Sequence, residues 1–179
     1  RTSKRHLPEY KYYMPNLLAK MFFGIMFGLV YIIVYGGGDT TAYYDGAVTL
    51  NNLFFKSPSF FFEELLKTPQ RGHYSSYFDS TTGYPPGWIY NEPEGFFISK
   101  IVSLFSLFTL KSYFAMTLII ATFTAHASWK LYLLVRAYKI CNEKYLAICI
   151  LFLPSVNFWC SGVSKDSIVF ISSIYLIYN

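Results

Sequence analysis

Residues 16–35 read NLLAKMFFGIMFGLVYIIVY, and this apolar run decides the fold class. About 20 predominantly apolar residues are needed for an α-helix to cross the hydrocarbon of a bilayer. The one charged residue, Lys20, lies near the start of the run, where we expect its side chain to snorkel to the surface. A cleaved signal peptide is the alternative, but the run is long for one and shows no small-residue cleavage site. We therefore expect a retained membrane span.

The composition of the whole chain agrees with a membrane protein. Hydrophobic residues make up 54% of the chain and aromatic residues 21%, whereas charged residues make up only 14%, and soluble domains rarely carry so little charge. The net charge of +5 comes from basic residues beside apolar runs, which favours acidic lipid headgroups over nucleic acid as the partner.

The basic residues also predict the topology, because lysine and arginine prefer the cytoplasmic side of a membrane. One group precedes the first span and the other separates two later apolar runs: Arg1, Lys4, Arg5 and Lys11, then Arg136, Lys139 and Lys144. We expect both groups in the cytoplasm. The cysteines and histidines give no metal-binding spacing, and we interpret Cys141, Cys149 and Cys160 as small core residues.

These patterns predict an all-α polytopic membrane protein with about four transmembrane helices, and we expect the chain to be a fragment of a larger bundle. Residues 1–15 form a basic cytoplasmic start, 16–35 the first span, and 36–95 an outer loop. Residues 96–179 begin with a helix on the outer surface, followed by about three spans near 113–138, 145–159 and 168–178. Two closely spaced spans within 96–138 are the alternative.

The outer loop combines short apolar segments with turn-forming residues. LNNLFF (residues 50–55) and FFFEELL (residues 60–66) are too short to span, and charged residues bracket them. We expect two short helices in the plane of the interface, the second starting at Ser57-Pro58. Residues 68–95 hold many prolines, glycines and aromatic rings, which predicts an ordered loop with little helix.

Two charged segments fall on the predicted outer face. GGGDTTAYYD (residues 36–45) follows the first span, and the turn 160–167 contains Lys165-Asp166. A carboxylate near apolar rings has a raised proton affinity and can serve as a general base, whereas a lysine at a helix start can hold a phosphate. The alternative is structural, because Asp39 and Asp166 also suit the first turns of helices.

The layout resembles the GT-C superfamily of polytopic glycosyltransferases, which use polyprenyl-phosphate-linked sugars. In that superfamily an early aspartate follows the first span, and Asp39 matches it. LPSVNFWCSGVSKD (residues 153–166) resembles a later segment in which a proline-containing span ends and an acid opens the next helix. Residues 77–100, with YPPG at 84–87, are also similar to uncharacterised membrane proteins of Bacteroidetes-type bacteria.

The resemblance implies sugar transfer from a polyprenyl-phosphate donor to a glycan, lipid or protein acceptor, with inversion at the anomeric carbon. It places the enzyme in the bacterial inner membrane with its active site on the periplasmic or outer side. Asp39 is then the catalytic base, with Asp45 and Asp166 as possible second acids. Lys165 and Arg71 would hold phosphate, and the stacking surfaces for sugar or lipid would be Tyr43, Tyr44, Tyr84 and Trp88.

A divalent metal stays an open alternative. Many members of the superfamily pair acids as D-x-D or E-x-D, whereas five residues separate Asp39 from Asp45. Two other functions also stay open. One is a transporter or flippase component, which predicts ionisable residues deep in the membrane and discontinuous helices. The other is a non-catalytic subunit that docks a partner through its aromatic outer loop.

Overall fold

The structure, a computed structural model, describes residues 8–70 and 72–178. Arg1, Lys4, Arg5 and Arg71, to which the sequence analysis gave roles, lie outside these ranges. Within them the elements are helical, apart from an isolated β-bridge between Gln70 and His73. The α-helices are α1 (Tyr13–Leu29), α2 (Asp39–Lys56), α3 (Pro58–Leu66), α4 (Gly87–Tyr90), α5 (Pro93–Ser106), α6 (Tyr113–Ala137), α7 (Glu143–Leu151), α8 (Pro154–Trp159) and α9 (Lys165–Tyr178).

Among the described residues, two helical stretches are long and apolar enough to cross a membrane. One is Tyr10–Val34, which continues α1 through a 3-10 turn before it and a π-helical turn after it, and the other is α6. The first carries an exposed apolar stripe at four-residue spacing, formed by Met14, Leu18, Phe22 and Met26. Such a stripe suits contact with lipid.

The expected third span is broken into two short helices, whereas α9 covers the whole apolar run 168–178. The apolar run 145–159 is interrupted, since α7 ends at Leu151 and α8 starts at Pro154. Proline lacks a backbone N–H and disfavours helix at the residue before it, which explains the break. The nine residues of α7 rise only about 13.5 Å, and α9 has 14 residues, about 21 Å.

The helices fall into two compact units. Among the described residues, the first unit comprises 8–29, 117–162 and 166–178, and the second comprises 30–70, 72–116 and 163–165. In the first unit, Trp129 and Tyr132 stack with ring centroids 5.2 Å apart and pack with Leu146, Ala147 and Leu151. Polar contacts also lie inside it, because the fully buried Asn16 amide donates to the Ala125 carbonyl at 2.9 Å.

Lys20 corrects an expectation. Its side chain does not snorkel to a surface: the residue is fully buried, and its Nζ donates to the Val156 carbonyl at 3.4 Å. The ammonium also lies 5.0 Å from the centroid of the Phe170 ring. Neighbouring helices of the first unit therefore enclose a cation that the sequence pattern placed at the membrane surface.

The second unit is built on the pairing of α2 with α5. LNNLFF is not a separate interfacial helix, since it forms the last part of the 18-residue α2, with Leu50 and Leu53 fully buried. The approach is close because Gly46 faces Ser99, and a Cβ placed at Gly46 would lie 2.6 Å from the Ser99 Oγ. As predicted, α3 begins at Pro58, directly after Ser57.

Hydrogen bonds to buried charged groups order the segment between α3 and α5. The fully buried Glu64 carboxylate accepts from the Tyr90 hydroxyl at 3.3 Å, and the Tyr90 oxygen accepts from the Ser75 N–H at 3.1 Å. Lys100 Nζ donates to the Leu65 carbonyl at 3.2 Å, at the end of α3. Burial raises the pKa of the Glu64 carboxyl, with partial compensation from Lys100.

Candidate functional site

A cavity of about 380 Å³ lies in the second unit, where the first apolar stretch gives way to α2. Its lining residues come from the end of that stretch, the glycine turn, α2 and the start of α6: Ile32, Gly36, Gly37, Thr41, Tyr44, Asp45 and Tyr113. The cavity thus combines one carboxylate with three hydroxyl groups and an apolar wall. Polar groups that converge in a concave site are the usual mark of a binding or catalytic site.

The glycine turn sets the direction in which α2 begins. Gly36, Gly37 and Gly38 all have positive φ, and Gly38 combines a φ of 145° with a ψ of −159°, a region that is essentially restricted to glycine. Its N–H donates to the Thr41 Oγ1 at 3.0 Å, and the same hydroxyl donates to the Gly38 carbonyl at 2.8 Å. These two bonds fix Thr41 at the cavity wall.

Helix periodicity brings Thr41, Tyr44 and Asp45 to the same wall. Residues spaced i, i+3 and i+4 share one face of an α-helix, and α2 starts early enough for this spacing to apply. The Tyr44 hydroxyl donates to the Lys111 carbonyl, and its ring meets Tyr113 edge-on with centroids 5.4 Å apart. Tyr113 is itself held by Thr40, with 2.7 Å between their hydroxyl oxygens.

Asp45 is the carboxylate of the cavity. The residue is exposed at the cavity, and partial loss of solvent around its carboxyl raises the pKa of that group. Burial and the neighbouring Asp45 charge also raise the pKa of the Tyr44 hydroxyl. An aspartate with increased proton affinity beside open volume is suited to accept a proton from a bound hydroxyl group.

Asp39 occupies a different position. It is exposed at the first position of α2, directly after the cap residue Gly38, and it is not among the residues that line the cavity. Because Asp39 and Asp45 are six positions apart in one α-helix, their side chains point in directions about 120° apart around the helix axis. A carboxylate in the first turn stabilises a helix through the partial positive charge of the exposed N–H groups. The position of Asp39 therefore matches the alternative in which this residue stabilises the start of a helix.

The other residues named from the sequence lie outside the cavity lining. Lys165 forms an exposed ion pair with Glu94, with 2.8 Å between Nζ and Oε2, which raises the pKa of the lysine. Asp166 is exposed in the first turn of α9. Tyr43 is 5% exposed and packs in the core of the second unit, so its ring does not offer a free stacking face.

Tyr84 and Trp88 do present ring surface, since they are 54% and 50% exposed. The Tyr84 ring packs against Tyr74 with centroids 5.2 Å apart, and the Tyr74 hydroxyl donates to the Pro85 carbonyl at 3.0 Å. Arg71, the second expected phosphate ligand, lies outside the described residues.

A metal site does not fit the cavity residues that the structure describes. Asp45 is the sole carboxylate of the lining, and no group of three or more histidine, cysteine or acidic side chains suited to a metal occurs within residues 8–70 and 72–178. Divalent cations that bind carboxylates usually take several oxygen ligands from the protein. We therefore derive no step that uses a metal.

Ile32, Thr41 and Tyr113 line the cavity but were not among the site residues predicted from the sequence. Thr41 had a usable signal, because it shares a helical face with Tyr44 and Asp45 once α2 is known to begin at Asp39. Tyr113 had no local signal, since it joins the site only through tertiary contacts. Comparison of the chain with protein-family models, curated proteins and solved structures gave no match.

Proposed function

We propose that the chain is a membrane glycosyltransferase that moves a sugar from a polyprenyl-phosphate donor to an acceptor hydroxyl. The observation that carries the proposal is the cavity, in which the Asp45 carboxylate and the Tyr44 and Tyr113 hydroxyls lie together beside an apolar wall. The wall includes Ile32, from the end of the stretch that can cross a membrane. A lipid-linked donor would reach such a cavity from the bilayer.

The proposed reaction is a direct displacement at the anomeric carbon. The acceptor oxygen forms the new bond to that carbon, while the bond from the carbon to the phosphate oxygen breaks and its electron pair leaves with the polyprenyl phosphate. Asp45 takes the acceptor proton, a role that its raised pKa supports. Asp45 thereby replaces Asp39 as the preferred base, and Asp39 becomes a residue that stabilises the start of α2.

The charge of the leaving phosphate requires a cation or hydrogen-bond donors. Lys165 is the described candidate, but it must release Glu94, to which it is paired at 2.8 Å. Tyr44 and Tyr113 are alternative donors already at the cavity wall. The Tyr44 hydroxyl would have to exchange its bond with the Lys111 carbonyl for one to the ligand.

A transfer assay with radiolabelled polyprenyl-phosphate hexoses in proteoliposomes tests the proposal. Loss of a general base costs about 10²–10⁴-fold in rate, so we expect Asp45→Asn to lose that much while Asp39→Asn retains most activity. Glu92→Gln, an exposed acid elsewhere in the second unit, is the matched control. Absence of transfer by the wild-type chain would reject the function, and selective loss in Asp39→Asn would reject Asp45 as the base.

A transporter or flippase component is the second candidate, and one set of observations favours it. Lys20 is fully buried within a stretch that can cross a membrane, and the helix of the apolar run 145–159 is discontinuous between α7 and α8. Both features are typical of transport pathways. Translocation of a fluorescent lipid-linked sugar in proteoliposomes separates the two, because the transporter needs Lys20 and the transferase needs Asp45.

A further inference from the structure

The turn between α5 and α6 exposes two large apolar side chains. Phe108 is 84% exposed and Leu110 is 92% exposed, which puts them among the most exposed apolar residues of the described chain. Both lie within six residues of Tyr113, where α6 begins. Exposed apolar side chains that stand together in a soluble environment are unfavourable, and they mark contact with a partner or a membrane.

The backbone of this turn is held in a costly conformation. Leu110 and Lys111 have φ values of 50° and 58°, in the left-handed region that residues with a Cβ seldom occupy. Three contacts keep the turn in place. The Lys111 N–H donates to the Ser106 carbonyl at 3.4 Å, its Nζ donates to the Asn52 Oδ1 at 2.6 Å, and its carbonyl accepts from the Tyr44 hydroxyl.

Backbone strain that neighbouring contacts maintain is common at functional sites, so the strained turn indicates a function for the exposed side chains of Phe108 and Leu110. The Lys111 ammonium also lies 5.5 Å from the centroid of the Phe55 ring, which is itself 69% exposed. The surface therefore contains apolar groups at Phe55, Phe108 and Leu110 with a cation beside them. Apolar side chains next to a lysine match the boundary between acyl chains and anionic headgroups.

Chain connectivity identifies the occupant of this surface. Only Lys111 and Ser112 separate Leu110 from α6, which is long and apolar enough to cross a membrane. Three residues of extended chain reach at most about 10 Å, so a bilayer that contains α6 lies within reach of the turn. The occupant that fits both the chemistry and this connection is the lipid of the leaflet at the start of α6.

We propose that the turn of residues 107–111 is a lipid-inserting wedge, in which Phe108 and Leu110 enter the leaflet while Lys111 remains at the level of the headgroups. The inference rests on the membrane location of α6, which is part of the proposed function. Insertion of the wedge also sets the position of the cavity, because the Lys111 carbonyl holds Tyr44 at its wall. The wedge thus keeps the cavity at the lipid surface.

Depth-dependent fluorescence quenching tests the wedge in the full chain. In a background with its three native cysteines replaced, an NBD probe is attached at Leu110→Cys, and separately at Phe108→Cys in case one variant does not fold. The vesicles contain phosphatidylcholine brominated either near the headgroup or near the chain ends. Two matched positions complete the set: Thr122→Cys, exposed within α6, and Glu92→Cys, exposed on the second unit.

We expect both wedge probes to lose most fluorescence with bromines near the headgroup, the probe at residue 122 to lose most with bromines near the chain ends, and the probe at residue 92 to lose none. Quenching at residue 122 without quenching at residues 108 and 110 would overturn the wedge and leave the span intact. No quenching at any of the four positions would remove the membrane premise itself, and with it the membrane location in the proposed function.

Discussion

Gly46 is the position at which one added methyl group should separate the two main helices of the second unit. The Cβ of Gly46→Ala would lie 2.6 Å from the Ser99 Oγ and 3.0 Å from the Ser99 Cβ, closer than side-chain atoms normally approach. Overpacking of this kind costs about 1–3 kcal/mol, and the higher helix propensity of alanine returns about 1 kcal/mol. We expect a net loss of up to about 2 kcal/mol, which corresponds to a fall of about 4–8 °C in Tm.

Gly95→Ala is the matched control, because its Cβ would meet the nearest atom, the Ile89 Cδ1, at an ordinary 3.5 Å. It should stabilise the protein by about 0.5–1 kcal/mol. Ser99→Ala should partly rescue Gly46→Ala, since it removes the closest atom, and the Ser99 Oγ has no hydrogen-bond partner among the described residues. Thermal unfolding of purified protein in detergent gives the Tm of the three single variants and of the double variant that combines Gly46→Ala with Ser99→Ala. A Gly46→Ala protein as stable as Gly95→Ala would refute the close approach of α2 and α5.

Three further changes test other parts of the structure. Burial raises the pKa of the Glu64 carboxyl, so the contribution of Glu64 to stability is present at low pH and is lost as pH rises through the folded-state pKa. The Glu64→Gln variant should therefore show a flatter Tm-against-pH curve over that range. An unchanged slope would contradict this. Lys20→Met should leave Tm unchanged or raise it, because the substitution removes a buried ammonium. The Val156 carbonyl would keep a hydrogen bond, since it also accepts from the Cys160 N–H at 3.0 Å. A fall in Tm of several degrees would show that the cation stabilises the fold. Gly38→Ala should lower the free energy of unfolding by about 1–3 kcal/mol. The substitution places a Cβ 3.0 Å from the Tyr31 ring, on a backbone conformation that is essentially restricted to glycine. Equal chemical-denaturation midpoints for the wild type and the variant would be the contrary result.

The long apolar helices were predictable from composition and length. The expected span 113–138 agrees within one residue with α6, which ends at Ala137, and the first span overlaps Tyr10–Val34. A predominantly apolar run of this length leaves few alternatives to helix. The break before Pro154 also had a sequence signal, but its consequence for the length of α7 was underestimated.

The full extent of α2 was not predictable in the same way. Its sequence mixes small, polar and β-branched residues around Gly46, and its helical state depends on burial against α5. The composition of the cavity wall depends on the same helix, because the start of α2 at Asp39 puts Thr41, Tyr44 and Asp45 on one face. The enclosure of Lys20 likewise depends on contacts with residues more than 130 positions away, which no local pattern reports.

The participation of Gly36 and Gly37 in the cavity wall has a consequence for how ligand preference can change during evolution. At these two positions the wall consists of main chain alone, and their φ values of 67° and 127° disfavour any residue with a side chain. With Asp45 kept as the proposed base, diversification of the wall is therefore confined to the four other side chains around it, those of Ile32, Thr41, Tyr44 and Tyr113. A family of such proteins would vary its substrates by exchanging those side chains around an unchanging strip of peptide groups.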